Sequence, residues 1–134
     1  MISQEEIDKI IKGLKSKYPK LKFDSYLEDI SDKGLGYAYT IYVDYKINSV
    51  LTVESAIYLY SSDYNNSSTY EANNKAEIKY EKPYIFPDSD GFNVTEAFFK
   101  EVGTKGVEAI QLINDCTKYF NSTYKKDILR KLKD

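Results

Sequence analysis

The apolar residues of this chain change their period twice, and that alone restricts the folds open to it. From residue 21 to residue 81 they recur at every second position, and on either side they recur at three and four. Leu21, Phe23, Ser25 and Leu27 alternate with Lys22, Asp24, Tyr26 and Glu28. Tyr37, Tyr39, Ile41, Val43 and Tyr45 alternate with Ala38, Thr40, Tyr42, Asp44 and Lys46. Leu51, Val53, Ile57 and Leu59 share one face of a third run, with Thr52, Glu54, Tyr58 and Tyr60 opposite. Tyr70, Ala72, Ala76, Ile78 and Tyr80 alternate with Glu71, Lys75, Glu77, Lys79 and Glu81. Each run reads as a strand with one apolar face, and the short connections between them predict an antiparallel meander with one wetter side. Residues 31–36 and 46–49 carry turn chemistry, and residues 61–69 are polar without pattern, as a mobile loop is. Pro83 and Pro87 bracket Tyr84, Ile85 and Phe86, a short edge segment or loop.

The helical period comes first at the N-terminus. Ser3 and Glu6 have the spacing of a capping box, and Ile2 and Ile7 that of a hydrophobic staple. Ile7, Ile10, Ile11, Leu14 and Tyr18 form one stripe, which Pro19 stops. Near the other end Asn93 and Glu96 repeat the capping spacing and open a short helix with Phe98, Phe99 and Val102 apolar, expected to end at Gly103. A last helix is predicted from Thr104, with Ala109, Leu112, Ile113, Cys116 and Phe120 on its stripe. Tyr124, Ile128 and Leu132 continue that stripe only if Asn121, Ser122 and Thr123, three weak helix formers, stay helical; a kink there is the alternative.

The expected architecture is α+β: an N-terminal helix, an antiparallel meander of about four strands, and two or three C-terminal helices packed on one face. The chain of 134 residues is read as one domain, with residues 124–134 as a candidate basic helical tail. Apolar residues at 42 % and charged residues at 30 % fit a globular chain and exclude a disordered or collagenous one. No apolar run is long enough to cross a membrane as a helix, and the first residues lack the apolar core of a signal peptide, so the cytoplasm is the expected location.

Several chemistries are closed to this chain. Without histidine there is no imidazole base or ligand, and one cysteine makes neither an internal disulfide nor a zinc site. Cys116 lies on the apolar stripe with no base to activate it, so it is expected in the core. Asp88, Asp90 and Gly91 suggest a calcium loop, but in that alignment its first and twelfth positions are Phe86 and Ala97, which cannot ligate. Glu77 and Glu81 alternate with Lys75 and Lys79, as on a solvated strand face rather than in an acid–base pair. Gly103 to Gly106 lacks the spacing of a phosphate loop. Glycosylation patterns at Asn65, Asn66, Asn93 and Asn121 are what chance gives in a chain rich in Asn and Ser. No catalytic residue, metal or cofactor is expected.

What remains is a surface. The chain has 14 Tyr, 6 Phe, no Trp, and Arg130 as its sole arginine, a bias that A+T-rich codons produce. Residues 1–22 carry six lysines against three acids, residues 23–102 six against fourteen, and residues 103–134 seven bases against four. An acidic middle therefore lies between two basic ends. Tyr42, Tyr58 and Tyr60 fall on the polar face of their strands with Asp44 and Glu54, and Tyr64 and Tyr70 flank the polar loop. Together these are the candidate partner-binding residues, an aromatic patch with an acidic rim that suits a protein or ribonucleoprotein with a basic surface. The other reading of the same tyrosines is sheet stabilisation or a second core. Lys125, Lys126, Arg130, Lys131 and Lys133 are the candidates under the alternative reading, a nucleic-acid-binding accessory protein that uses the last helix. The leading expectation is a small non-catalytic protein that occludes a macromolecule. That is the character of phage- or mobile-element-encoded inhibitors, of anti-CRISPR and other anti-defence type or toxin-immunity type, which act in the host cytoplasm. A phage structural or assembly protein is a third reading, and oligomeric state is open.

Overall fold

A computed structural model describes residues 2–29, 37–49, 51–62, 75–87 and 96–133. Helix α1 spans Gln4–Lys17. Strands β1 (Lys22–Asp29), β2 (Tyr37–Lys46), β3 (Leu51–Ser62), β4 (Lys75–Tyr80) and β5 (Tyr84–Pro87) follow, and helix α2 (Glu96–Lys133) closes the chain. The α+β architecture and the antiparallel sheet stand as expected.

The capping box at the start of α1 is formed. Ser3 Oγ accepts the Glu6 N–H at 3.2 Å, and Glu6 Oε1 accepts the Ser3 N–H at 3.4 Å. Ile7, Ile10, Ile11 and Leu14 are buried beneath it, each stabilising the fold by about 1.5–3 kcal/mol. The last turn closes through the Tyr18 N–H on the Leu14 carbonyl, and Pro19 follows.

The sheet runs β1-β2-β3-β4, with every neighbouring pair antiparallel. The β2–β3 turn is held by Asn48, whose Oδ1 accepts the Leu51 N–H at 3.0 Å. The segment between the prolines is a strand: β5 pairs with β3 over residues 51–54, below β4 on the same side. It lacked a strand pattern because four residues cannot show alternation, and its partner, β3, is long enough to pair twice. The predicted beginning of the fourth strand, residues 70–74, and most of the polar loop lie outside the described residues. Ser61 and Ser62, assigned to that loop, end β3 instead.

The C-terminal helices require a correction. Glu96–Lys133 is one helix of 38 residues, about 57 Å long, and neither Gly103 nor residues 121–123 breaks it. Gly103 is exposed and costs about 1 kcal/mol inside a helix, too little to stop one by itself. Asn121, Ser122 and Thr123 cost about 0.5 kcal/mol each, whereas burial of Ile128 and Leu132 beyond them returns about 1.5–3 kcal/mol each. Packing wins, and residues 124–133 continue α2 with Ile128 and Leu132 in the core. The Asn93 capping position lies outside the described residues.

Both helices cover one face of the sheet, and their stripes join it in a single core with Phe23, Tyr39, Ile41, Val43, Val53, Ile57 and Leu59. They run antiparallel. Glu6 pairs with Lys131, Gly13 lies against Tyr124, Tyr18 bonds Asp115, and Lys20 pairs with Glu108 at 3.3 Å. Phe120 is the largest fully buried side chain among the described residues, with the rings of Tyr80 and Tyr124 against it. Cys116 is fully buried as expected, and burial pushes its thiol up to about 12, out of reactive range. Among the described residues no helix is long and apolar enough to cross a membrane, and no group of three or more acids or cysteine could hold a metal ion.

Candidate interaction surface

Alternation decides which side chains the helices do not cover. Since Phe23, Ile41, Val43, Val53 and Ile57 point to the core, Asp24, Tyr26, Thr40, Tyr42, Glu54 and Tyr58 point the other way. Among the described residues nothing lies over this second face. Register arranges it in rows across the strands. Tyr26, Thr40, Tyr58 and Lys79 form one row, Asp24, Tyr42 and Ala56 the next, and Lys22, Asp44, Glu54 and Tyr84 a third. Ala38, Tyr60 and Glu77 flank them on the far side.

The small residues in these rows form a floor. Ala56 is 1 % exposed and Thr40 is buried, although among the described residues no helix lies on this face. Tyr58 and Tyr60 stack with ring centroids 6.2 Å apart, and Lys79 lies over Tyr60 at 5.8 Å. Tyr26 remains 57 % exposed, and Tyr42 and Tyr84 each 42 %. The predicted residues Tyr42, Asp44, Glu54, Tyr58 and Tyr60 thus share one face. Tyr64 and Tyr70 lie outside the described residues.

Two phenols are anchored by carboxylates. Tyr58 donates to Glu81 Oε2 at 2.9 Å, and Tyr84 donates to Glu54 Oε2 at 2.8 Å. Burial first, then the Glu81 bond, pushes Tyr58 up to about 12; for Tyr84 the Glu54 bond is the larger cause, again to about 12. Both phenols are therefore neutral near pH 7, and the charge of the face comes from its acids and lysines. Glu81 is itself fixed, since its N–H bonds the Ala56 carbonyl at 2.9 Å and its carbonyl accepts the Ser55 hydroxyl at 2.7 Å.

Asp44 and Glu54 are directly opposite across β2 and β3, like charges at a position where opposite charges would be favoured. They line a shallow cavity of about 320 Å³ with Lys22, Lys46, Ser49 and Thr52. Sequence reasoning missed Tyr26, Tyr84 and Glu81 as members of this face. The signal for Tyr26 was present, because it shares the parity of Asp24. Tyr84 and Glu81 depend on β5 docking, which no local pattern announces.

The basic candidates on α2 are arranged differently. Lys125 and Lys126 are exposed. Arg130 pairs with Asp127, and Lys131 sits between Glu6 and Asp127 at 3.1 Å from the latter. The Lys133 side chain is outside the described residues. Comparison with protein-family models, with curated proteins and with solved structures finds no match to this chain.

Proposed function

We propose that this chain is a small non-catalytic binding protein whose open sheet face covers a basic surface of a protein or ribonucleoprotein, as an inhibitor of the phage or mobile-element type does. The observation that carries this reading is the uncovered face itself. It holds five tyrosines, three of them 42–57 % exposed, beside the buried Thr40 and Ala56. Tyrosines give large contact areas at low entropic cost, and anchoring by Glu54 and Glu81 lowers that cost further. The charge balance of the face favours a basic partner. Its described acids, Asp24, Asp44, Glu54, Glu77 and Glu81, outnumber Lys22, Lys46 and Lys79. Nucleic-acid binding by α2 is less well supported, because Arg130 and Lys131 already face carboxylates.

The test is capture of partners by the tagged chain in its source cell or that cell's host, beside a Tyr42→Ala/Tyr60→Ala variant whose unfolding midpoint is checked. One stoichiometric protein or ribonucleoprotein, retained by wild type and lost by the folded variant, is the expected result. Retention by the variant, or recovery of nucleic acid alone, sinks the proposal.

A further inference from the structure

The two edges of the sheet are built differently. On one side β3 is capped by β4 and β5, two short strands interrupted by Pro83 and ended by Pro87. Short, proline-marked edges resist the addition of another strand. The other edge is β1, in unbroken register with β2 over eight residues and without proline. Among the described residues no strand pairs its outer side.

The backbone groups of that outer side can be assigned. In an antiparallel ladder, successive residues turn their N–H and C=O alternately to one neighbour and the other. The Ser25 N–H donates to the Asp24 carboxylate at 2.9 Å, so it faces away from β2. Phe23 and Leu27 share its parity and face outward with it. Leu27 is 40 % exposed although it lies on the helix-covered face.

We propose that this edge pairs with β1 of a second copy of the chain, antiparallel, about a two-fold axis through Ser25. A two-fold axis perpendicular to the sheet keeps like faces together, so opposed residues share parity. Centred on Ser25, Lys22 stands opposite Glu28, Phe23 opposite Leu27, and Asp24 opposite Tyr26. Charge meets opposite charge, apolar meets apolar, and a carboxylate meets a phenol. Both neighbouring registers are worse. An axis at Asp24 sets that carboxylate against itself, and one at Tyr26 sets Asp24 against Glu28. In the Ser25 register the outward groups of the two Ser25 residues bond each other, as do those of Phe23 and Leu27. The Asp24 carboxylate then leaves the Ser25 N–H for the Tyr26 phenol of the second copy. The product is one continuous sheet with five strands from each copy and both open faces on the same side.

Sedimentation velocity of the full chain, from low micromolar to near millimolar, tests it. A reversible monomer–dimer equilibrium is expected. Glu28→Lys should weaken it about ten-fold by setting like charges opposite, and Lys22→Glu combined with Glu28→Lys should restore it. Leu27→Lys, at an exposed position, should weaken it as well, with the unfolding midpoint of each variant confirming the fold. Amide exchange at Phe23, Ser25 and Leu27 should slow as concentration rises. A monomer throughout, or a dimer indifferent to these changes, overturns the proposal. So does a dimer lost in Tyr42→Ala but kept in Glu28→Lys, which would put the contact on the open face.

Discussion

The same residue type lines both faces of this sheet and does different work on each. On the covered side Tyr18, Tyr119 and Tyr124 meet edge to face at about 6 Å, Tyr80 packs against Phe120, and Lys17 sits 3.7 Å above the Tyr119 ring. On the open side Tyr26, Tyr42 and Tyr84 expose much of their rings. Hydroxyl bonding does not separate the two sets. Tyr18 donates to Asp115 Oδ2 at 2.8 Å and Tyr80 to Asn121 at 2.8 Å, much as Tyr58 donates to Glu81 and Tyr84 to Glu54. A satisfied phenol therefore says little about role. What distinguishes a structural tyrosine from an available one is whether a second element encloses its ring, because the free energy gained on burial scales with area removed from water.

That contrast can be broken experimentally. The largest effect is expected on the covered side. Phe120→Ala should lower unfolding free energy by about 3–5 kcal/mol, whereas Tyr26→Ala on the open face should stay within about 0.5 kcal/mol of wild type by urea denaturation. Equal losses at the two positions would mean that the open face is covered after all. A smaller effect probes the helix contact. A Cβ added at Gly13 meets the Tyr124 hydroxyl at 2.7 Å, so Gly13→Ala should lose the usual helix gain of about 1 kcal/mol. The same substitution in a Tyr124→Phe background, which lacks that oxygen, should recover it; a gain already present in wild type would show that α1 and α2 are looser there. Gly103→Ala meets nothing within 4 Å and should raise stability by about 0.5–1 kcal/mol, whereas destabilisation would mean that α2 ends there.

The smallest effect is on pH dependence. Tyr58 is held neutral in the fold, its ordinary value of 10.0 raised to about 12 by burial and by Glu81. The unfolded chain therefore loses this proton first. The stabilisation is complete below pH 10 and is lost as pH rises toward about 12. Tyr58→Phe should accordingly flatten the alkaline fall of the urea midpoint, and an unchanged slope would assign that fall to Tyr18 and Tyr84, which are raised as well.

Much of this arrangement was legible in the residues. Alternation in 21–60 places Phe23, Ile41, Val43, Val53 and Ile57 on one face and Tyr42, Asp44, Glu54 and Tyr58 on the other, because side chains on a strand alternate whatever the strand packs against. Ser3 and Glu6 announce the start of α1 because a capping box is local. The end of α2 was less legible. Residues 121–123 are poor helix formers, and what keeps them helical is the burial of Ile128 and Leu132 farther along the chain. Whether residues 84–86 were an edge segment or a loop was open for the same reason, since Tyr84 and Ile85 become a strand by pairing with Glu54 and Val53 some thirty positions earlier.

The sequence by itself thus determined the order of elements from α1 to β4 and the two sides of each strand, because periodicity is a property of neighbouring residues. The tertiary structure decided which side the helices cover, that α2 is continuous, where β5 attaches, and that among the described residues β1 pairs on one side only. Those outcomes rest on burial and pairing between residues distant in the chain, and such free energies leave no periodic mark on either partner alone.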